Sequence, residues 1–325
     1  MTEAVNRKRS VKRSGIANLL SRLFKEKPLG AFGLIVAVLL LLTGIFADFL
    51  APYEMNEIHP DNRLEPPSRA FLLGTDNLGR DLLSRVVYGA RVSMIVGLGV
   101  SAIATLISVT IGTLSGYIGG TFDLIIQRIV DAFMSLPMLI VLLAIISMIG
   151  QGILPLIFVM GITTGIGGAR HTRGFVLSIV GNQYLQAAHA IGSRTGRILF
   201  RHVLPNIAAP LIVGFTVLLP GVILTESVLS FLGYGVPPPQ PSWGSMLSGT
   251  NRSYMFLAPW MVVWPGLALT LVVWGTHMLG DALRDLLDPK LRGGVGRYGR
   301  KKSVSAKGSH DRVNQLATTK EVRRL

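Results

Sequence analysis

A 325-residue chain in which half the side chains are hydrophobic and only 15% are charged has too little polar surface to cover a soluble core, which excludes an ordinary globular domain. The formal charge is +15 and there is no cysteine, so disulfides, zinc–thiolate clusters and thiol chemistry are excluded as well. Residues 29–47, 92–122 and 132–169 carry no acid or base; each run is close to or beyond the roughly 20 residues a helix needs to cross a bilayer. They lack the alternation of barrel strands, and in lipid only helices or closed barrels satisfy the backbone. The expected fold is an all-α membrane protein with six transmembrane helices.

Residues 1–28 form a basic tail holding eight Lys/Arg. With the apolar run that follows they superficially look like a secretory signal. That run is too long for a signal, and 48–51 is a poor cleavage site, so 29–50 is expected to be an uncleaved first span. Residues 51–91 are expected outside the cytoplasm, beginning as a loop (Pro52, Pro60, Pro66, Pro67). From 76 to 91, Leu78, Leu82, Leu83 and Val86 fall on one side, predicting an amphipathic helix on the outer surface. Its chemistry-bearing residues are Asp76, Gly79, Arg80, Asp81, Arg85 and Arg91.

Further spans are expected over 92–118, 124–149, 153–168, 205–232 and 258–279, the fourth being short and glycine-rich. Small residues spaced by four (Gly112, Gly116 and Gly120; Gly97 and Ser101; Gly161 and Gly165) favour close helix packing within the bundle over dimerisation. Residues 170–205 carry five arginines and no acid. They read as a short helix from Tyr184, a break at Gly192, and a second helix over 195–203 with Ile198, Leu199 and Val203 on one side. Pro205 suits the first turn of the next span. Past the sixth span, Asp281, Arg284, Asp285 and Asp288 are candidates for local ion pairs. The basic tail 283–325 is expected to be mostly disordered from 293. With six spans every basic segment falls on the cytoplasmic side, as the positive-inside rule requires. The positive charge is therefore read as topology rather than nucleic-acid binding.

No catalytic constellation appears. There is no Gly-Lys pair and so no phosphate loop, no His-Glu-x-x-His, and no nucleophile elbow. His171, His189 and His202 share a basic loop and read as solvated or capping residues rather than metal ligands. Within the spans almost nothing is ionisable, and Glu226 is the exception that stands out after a long apolar run. It is equally a functional carboxylate or a structural acceptor for backbone freed near Pro220 and Gly221. A transport protein with neither an energy source nor a coupling acid must borrow energy, and the basic loop is the place to receive it. An ion-coupled carrier would instead need intramembrane carboxylates or interrupted helices, for which Glu226 is the only support.

Gln186-Ala187-Ala188, Gly192 and Leu204-Pro205 resemble the EAA…G…LP signature of ABC-importer permease subunits, with Gln186 where the family has Glu. The amide excludes a salt bridge from that position. Leu73-Gly-Thr-Asp-Asn-Leu-Gly-Arg-Asp-Leu-Leu-Ser-Arg85 with Gly89-Ala-Arg91 is similar to the C-type permeases of the dipeptide/oligopeptide/nickel group. So are Glu226-Ser-Val-Leu-Ser-Phe-Leu-Gly-Tyr-Gly235 with 237–244, and Leu279-Gly-Asp-Ala-Leu-Arg-Asp-Leu-Leu-Asp-Pro289. The resemblance covers about 28–292. It implies a type I importer fold with its core at 92–282 behind an extra first span, in a bacterial or archaeal plasma membrane with both termini cytoplasmic. The implied partners are a second permease, two cytoplasmic ATPases holding ATP and magnesium, an extracytoplasmic solute-binding protein and membrane lipid; nucleic acid is not among them. The chain itself would bind no cofactor and hydrolyse nothing. The implied coupling residues are Tyr184, Gln186, Ala187, Ala188, Gly192, Arg194, Arg197, Leu204 and Pro205. Glu226 and Trp243 are candidates for the translocation path or outer gate. The implied cargo is di- or oligopeptides, the alternatives being oligosaccharide, a nickel chelate or glutathione. The segments 76–91 and 236–244 would face the binding protein or roof the path.

Overall fold

The computed structural model describes residues 15–287; the basic stretch 1–14, Asp288 and the tail expected to be disordered lie outside the described residues. In chain order the helices are α1 (Gly15–Glu26), α2 (Pro28–Ile45), α3 (Ala47–Leu50), α4 (Leu82–Ile118), α5 (Gly120–Met134), α6 (Met138–Ile149), α7 (Ile153–Val180), α8 (Gln183–Ala190), α9 (Thr195–Ile198), α10 (Leu204–Phe231), α11 (Trp243–Met246), α12 (Gly249–Ser253) and α13 (Trp260–Leu287). No strand occurs among the described residues. Five stretches are long and apolar enough to cross a membrane: α2, α4, α7, α13, and α9–α10 taken with the short π-helix between them. The pair α5–α6, bent by 85° at its break, is apolar enough to give a sixth when its two halves are taken as one span.

Five boundaries differ from the sequence reading. The expected surface helix 76–91 does not exist as a separate element. Residues 76–80 are a turn in which the Asp76 carboxylate accepts the Leu78 and Arg80 amides, with Gly79 at φ +80°. The helix starts at Leu82, where Asp81 caps it by accepting from the Ser84 amide at 2.7 Å. Nothing between Arg85 and Val92 stops it, so it runs on as the second span, 37 residues in all.

The third span breaks at 135–137, because Pro137 disfavours helical backbone in the residue before it. The fourth does not end at Gly168 but continues to Val180. Arg170 and Arg173, read from sequence as loop charges, sit on α7 and pair with Asp131 and Asp123 of α5. The sixth runs to Leu287, and Asp285 is not paired locally but with Lys27, at 2.6 Å. The first span is also shorter than expected, turning at Phe46.

Two packing cores build the bundle. Val96, Val100, Ile146, Leu156 and Leu229 join α4, α6, α7 and α10, while Val36, Leu40, Leu82 and Val272 join α2, α4 and α13. The small-residue rows are used inside the chain. A Cβ on Gly112 would stand 2.5 Å from the Ala169 carbonyl oxygen, so glycine is what lets α4 and α7 touch. Gly161 and Gly165 return that contact against Ile103 and Ile107 of α4.

Candidate functional site

At the end of the bundle where α4 and α7 finish and α10 begins, α8 and α9 form a bracket. The helix α8 closes in a Schellman motif: the Gly192 amide donates to the His189 carbonyl at 2.9 Å and the Ser193 amide to that of Ala188 at 3.1 Å. This requires Gly192 at φ +74°, where a side chain would be strained although nothing lies within 4 Å of its would-be Cβ. Beyond the break, α9 passes through a π-helical segment, Leu199–Val203, straight into α10. The second arm of the bracket and the fifth span are therefore one continuous rod.

The inner face of the bracket is apolar. Leu185, Ala188, Ile198, Leu199 and Val203 are buried against Val176 of α7 and Ile207 of α10. The Tyr117 hydroxyl lies 2.8 Å from His189 Nε2 with the rings stacked, tying α8 to the end of α4. The outer face is uncovered. Ile191 is 81% and Phe200 75% exposed, and Tyr184, Gln186, Ala187 and Pro205 are exposed too, with Leu204 half-buried. The Gln186 amide donates to the Gly181 carbonyl at 3.3 Å. Arg194, Arg197 and Arg201 are exposed and make no ion pair among the described residues. Ile191 and Phe200 went unnoticed in the sequence. The available signal was that neither falls on the side shared by Ile198, Leu199 and Val203.

The histidines of the loop separate: His171 is on α7, His189 on α8 and His202 in the π-helical segment. Among the described residues no cluster of three or more His, Asp or Glu could hold a metal.

At the opposite end, the charged residues expected on a surface helix are tied into folded turns. The buried Asp76 also accepts from Arg80 Nε at 2.7 Å and stands 3.7 Å from Arg85 Nε. The Trp260 indole donates to the Thr75 carbonyl at 3.1 Å, and that of Trp243 to Val86 at 3.0 Å. Arg91 staples α2 to α4, donating to the Gly44 carbonyl at 2.9 Å and to Asp48 at 2.7 Å. That guanidinium holds the exposed Asp48 carboxyl below the usual carboxylate range. Glu226 is fully buried and accepts from the Ser230 hydroxyl at 2.7 Å and, more weakly, from Ser227 at 3.3 Å. It does not serve the backbone near Gly221; the Thr225 hydroxyl does that, at 2.8 Å. Trp243 is likewise buried. The structure thus places Glu226 and Trp243 in the interior.

A bundle of six apolar crossings with a helical bracket held out at one end defines a membrane-embedded transport component. Residues 108–293 match the family described as binding-protein-dependent transport system inner membrane component, and residues 20–67 match the N-terminal TM domain of oligopeptide transport permease C. The chain belongs to this family, as a C-type permease subunit of an ABC importer. It is 39% identical over 268 residues to the dipeptide transport system permease protein DppC of Alkalihalophilus pseudofirmus, covering 82% of this chain and 88% of the relative. It is 37% identical to the oligopeptide transport system permease protein OppC of Bacillus subtilis, covering 83% and 88%. It is also 37% identical to the glutathione transport system permease protein GsiD of Pectobacterium atrosepticum, covering 83% and 90%.

Proposed function

We propose that this subunit forms, with a second permease, the translocation path of an ATP-driven importer of di- and oligopeptides. Two ATPases complete the assembly on the cytoplasmic side, one of them taking the α8–α9 bracket into a groove, and a solute-binding protein docks at the other end. The observation that carries this reading is the uncovered face of the bracket. Two large apolar side chains and three arginines, unpaired among the described residues, are presented by a bracket whose reverse face is packed on α7 and α10. An apolar centre ringed by cations suits a groove in a protein partner. ATP and magnesium belong to that partner, whose closure would push on the bracket. Because α9 runs into α10 without a joint, the push turns the fifth span directly. With glutamine at position 186, the contact there rests on shape and hydrogen bonding. Both termini are then cytoplasmic.

The peptide cargo is supported by the dipeptide and oligopeptide permeases among the relatives, and the glutathione permease favours a second, closely allied cargo. Mass spectrometry of the ligand that co-purifies with the binding protein distinguishes the two. The ion-coupled alternative gains the interrupted pair α5–α6, but the break at 135–137 carries no ionisable residue. The decisive test is labelled dipeptide uptake by the reconstituted complex with Gly192→Leu or Ala187→Trp. Uptake should fall while the complex still assembles; undiminished uptake overturns the coupling role.

A further inference from the structure

At the end opposite the bracket, the turns before α4, between α6 and α7, and after α10 enclose a cavity of about 380 Å³. Arg80 and Arg85 reach its wall, with Asn77, Gln151, Gln240 and Ser245 among its polar lining, and no acidic residue lines it. Arg85 is only 8% exposed, yet its guanidinium makes no hydrogen bond among the described residues. Nη1 is sealed from solvent without a partner, and Nε stands 3.7 Å from Asp76. Asp76 has little more to offer, because it already accepts two backbone amides and Arg80 Nε at 2.7 Å. One carboxylate therefore serves two guanidiniums. A buried charge left short of hydrogen bonds is costly, and such a group calls for a partner that arrives from outside. The planar fork of an arginine is the donor set that best matches a carboxylate.

We infer that this cavity is a subsite for the carboxylate of a small peptidic cargo, received by Arg85 with Arg80 beside it. The inference rests on the peptide-import reading above. The volume lies in the roughly 300–1,000 Å³ range of small-ligand sites. Side-chain amides and hydroxyls from several segments of chain offer donors and acceptors to peptide groups. An acidic side chain of a docked protein would neutralise Arg85 but leave most of that space unfilled.

The test measures uptake of dialanine and of dialanine amide by the full complex in liposomes, as the ratio of kcat/KM for acid over amide. Any preference contributed by the binding protein is common to all permease variants and cancels in the comparison. Arg85→Gln should lower the ratio by about tenfold or more, the weight of one charge-assisted hydrogen bond, while Arg85→Lys, which keeps the charge but loses the fork, should fall between Gln and the wild type. Should Arg85→Gln fail to assemble, Asn77→Asp replaces it: a carboxylate built into the cavity wall should occupy the arginines and lower the same ratio. A ratio unchanged in whichever of these variants assembles overturns the subsite. So does an unchanged ratio combined with weaker docking of the binding protein, which would assign the carboxylate to that protein. If the wild type imports neither compound, the peptide-import reading fails and the subsite with it. Import of both at a ratio that Arg85 does not control removes the subsite alone.

Discussion

The two ends of this bundle carry similar residues and put them to opposite uses. At the bracket, Arg194, Arg197 and Arg201 are exposed and unpaired among the described residues, and the apolar Ile191 and Phe200 are exposed as well. At the other end, Arg80 and Arg85 converge on a buried Asp76, Arg91 clips two helices together, and Trp243 and Trp260 donate to the carbonyls of Val86 on α4 and Thr75 in the turn before it. The first region is held by apolar packing on its reverse face, with its charges left outside. The second uses its charges to fold. Motif residues of equal chemical interest thus separate largely by whether their polar groups are satisfied inside the chain, and Arg85, buried but short of hydrogen bonds, is the exception at the second end.

That contrast can be broken by substitution. The largest expected effect is at the folded turns. Asp76→Ala removes the acceptor of two amides and of Arg80, and the ion-pair partner of Arg85, and should destabilise the protein by about 3–5 kcal/mol, the cost of stranding a buried charge. It should be read as a fall in the thermal unfolding midpoint of the purified permease pair in detergent. Next comes Gly192→Val, which forces a β-branched residue to φ +74°. A left-handed conformation costs about 1–2 kcal/mol, and uptake should fall more than stability, with Gly192→Asn milder in both.

Phe200→Ala with Ile191→Ala should leave stability within about 0.5 kcal/mol, as for exposed positions, while weakening co-purification of the ATPase. If these alanines unfold the permease instead, the division between the two ends is wrong. The smallest effect is at Asp48. Its carboxyl is held below the usual range in the folded protein by Arg91. The contribution is present above the unfolded value and lost as pH falls through the folded one. Asp48→Asn should remove only that weak acid dependence in a thermal-unfolding series.

The membrane class and the approximate crossings were legible because uncharged runs of sufficient length have no other stable home. Errors arose where charge was taken as a sign of water. Arg170 and Arg173 were assigned to a loop, yet Arg173 meets Asp123 in a paired fork at 2.6 and 2.5 Å on α7. Such partners are 50 residues apart in sequence and carry no local signal. The turn at 76–80 was hidden for a related reason: its apolar spacing suits a helix, but the Asp76 side chain competes for the same amides. The helix–Gly192–helix bracket could be read because its determinants are local.

The central claim, that the bracket is the face met by the ATPase, has a direct test because the chain contains no native cysteine. A single Phe200→Cys, with a cysteine scanned along the groove of the ATPase, should give a disulfide cross-link whose yield changes with ATP. Asn77→Cys at the opposite end should give none. The account would be contradicted by a Phe200→Cys protein that assembles and transports yet cross-links to no ATPase position.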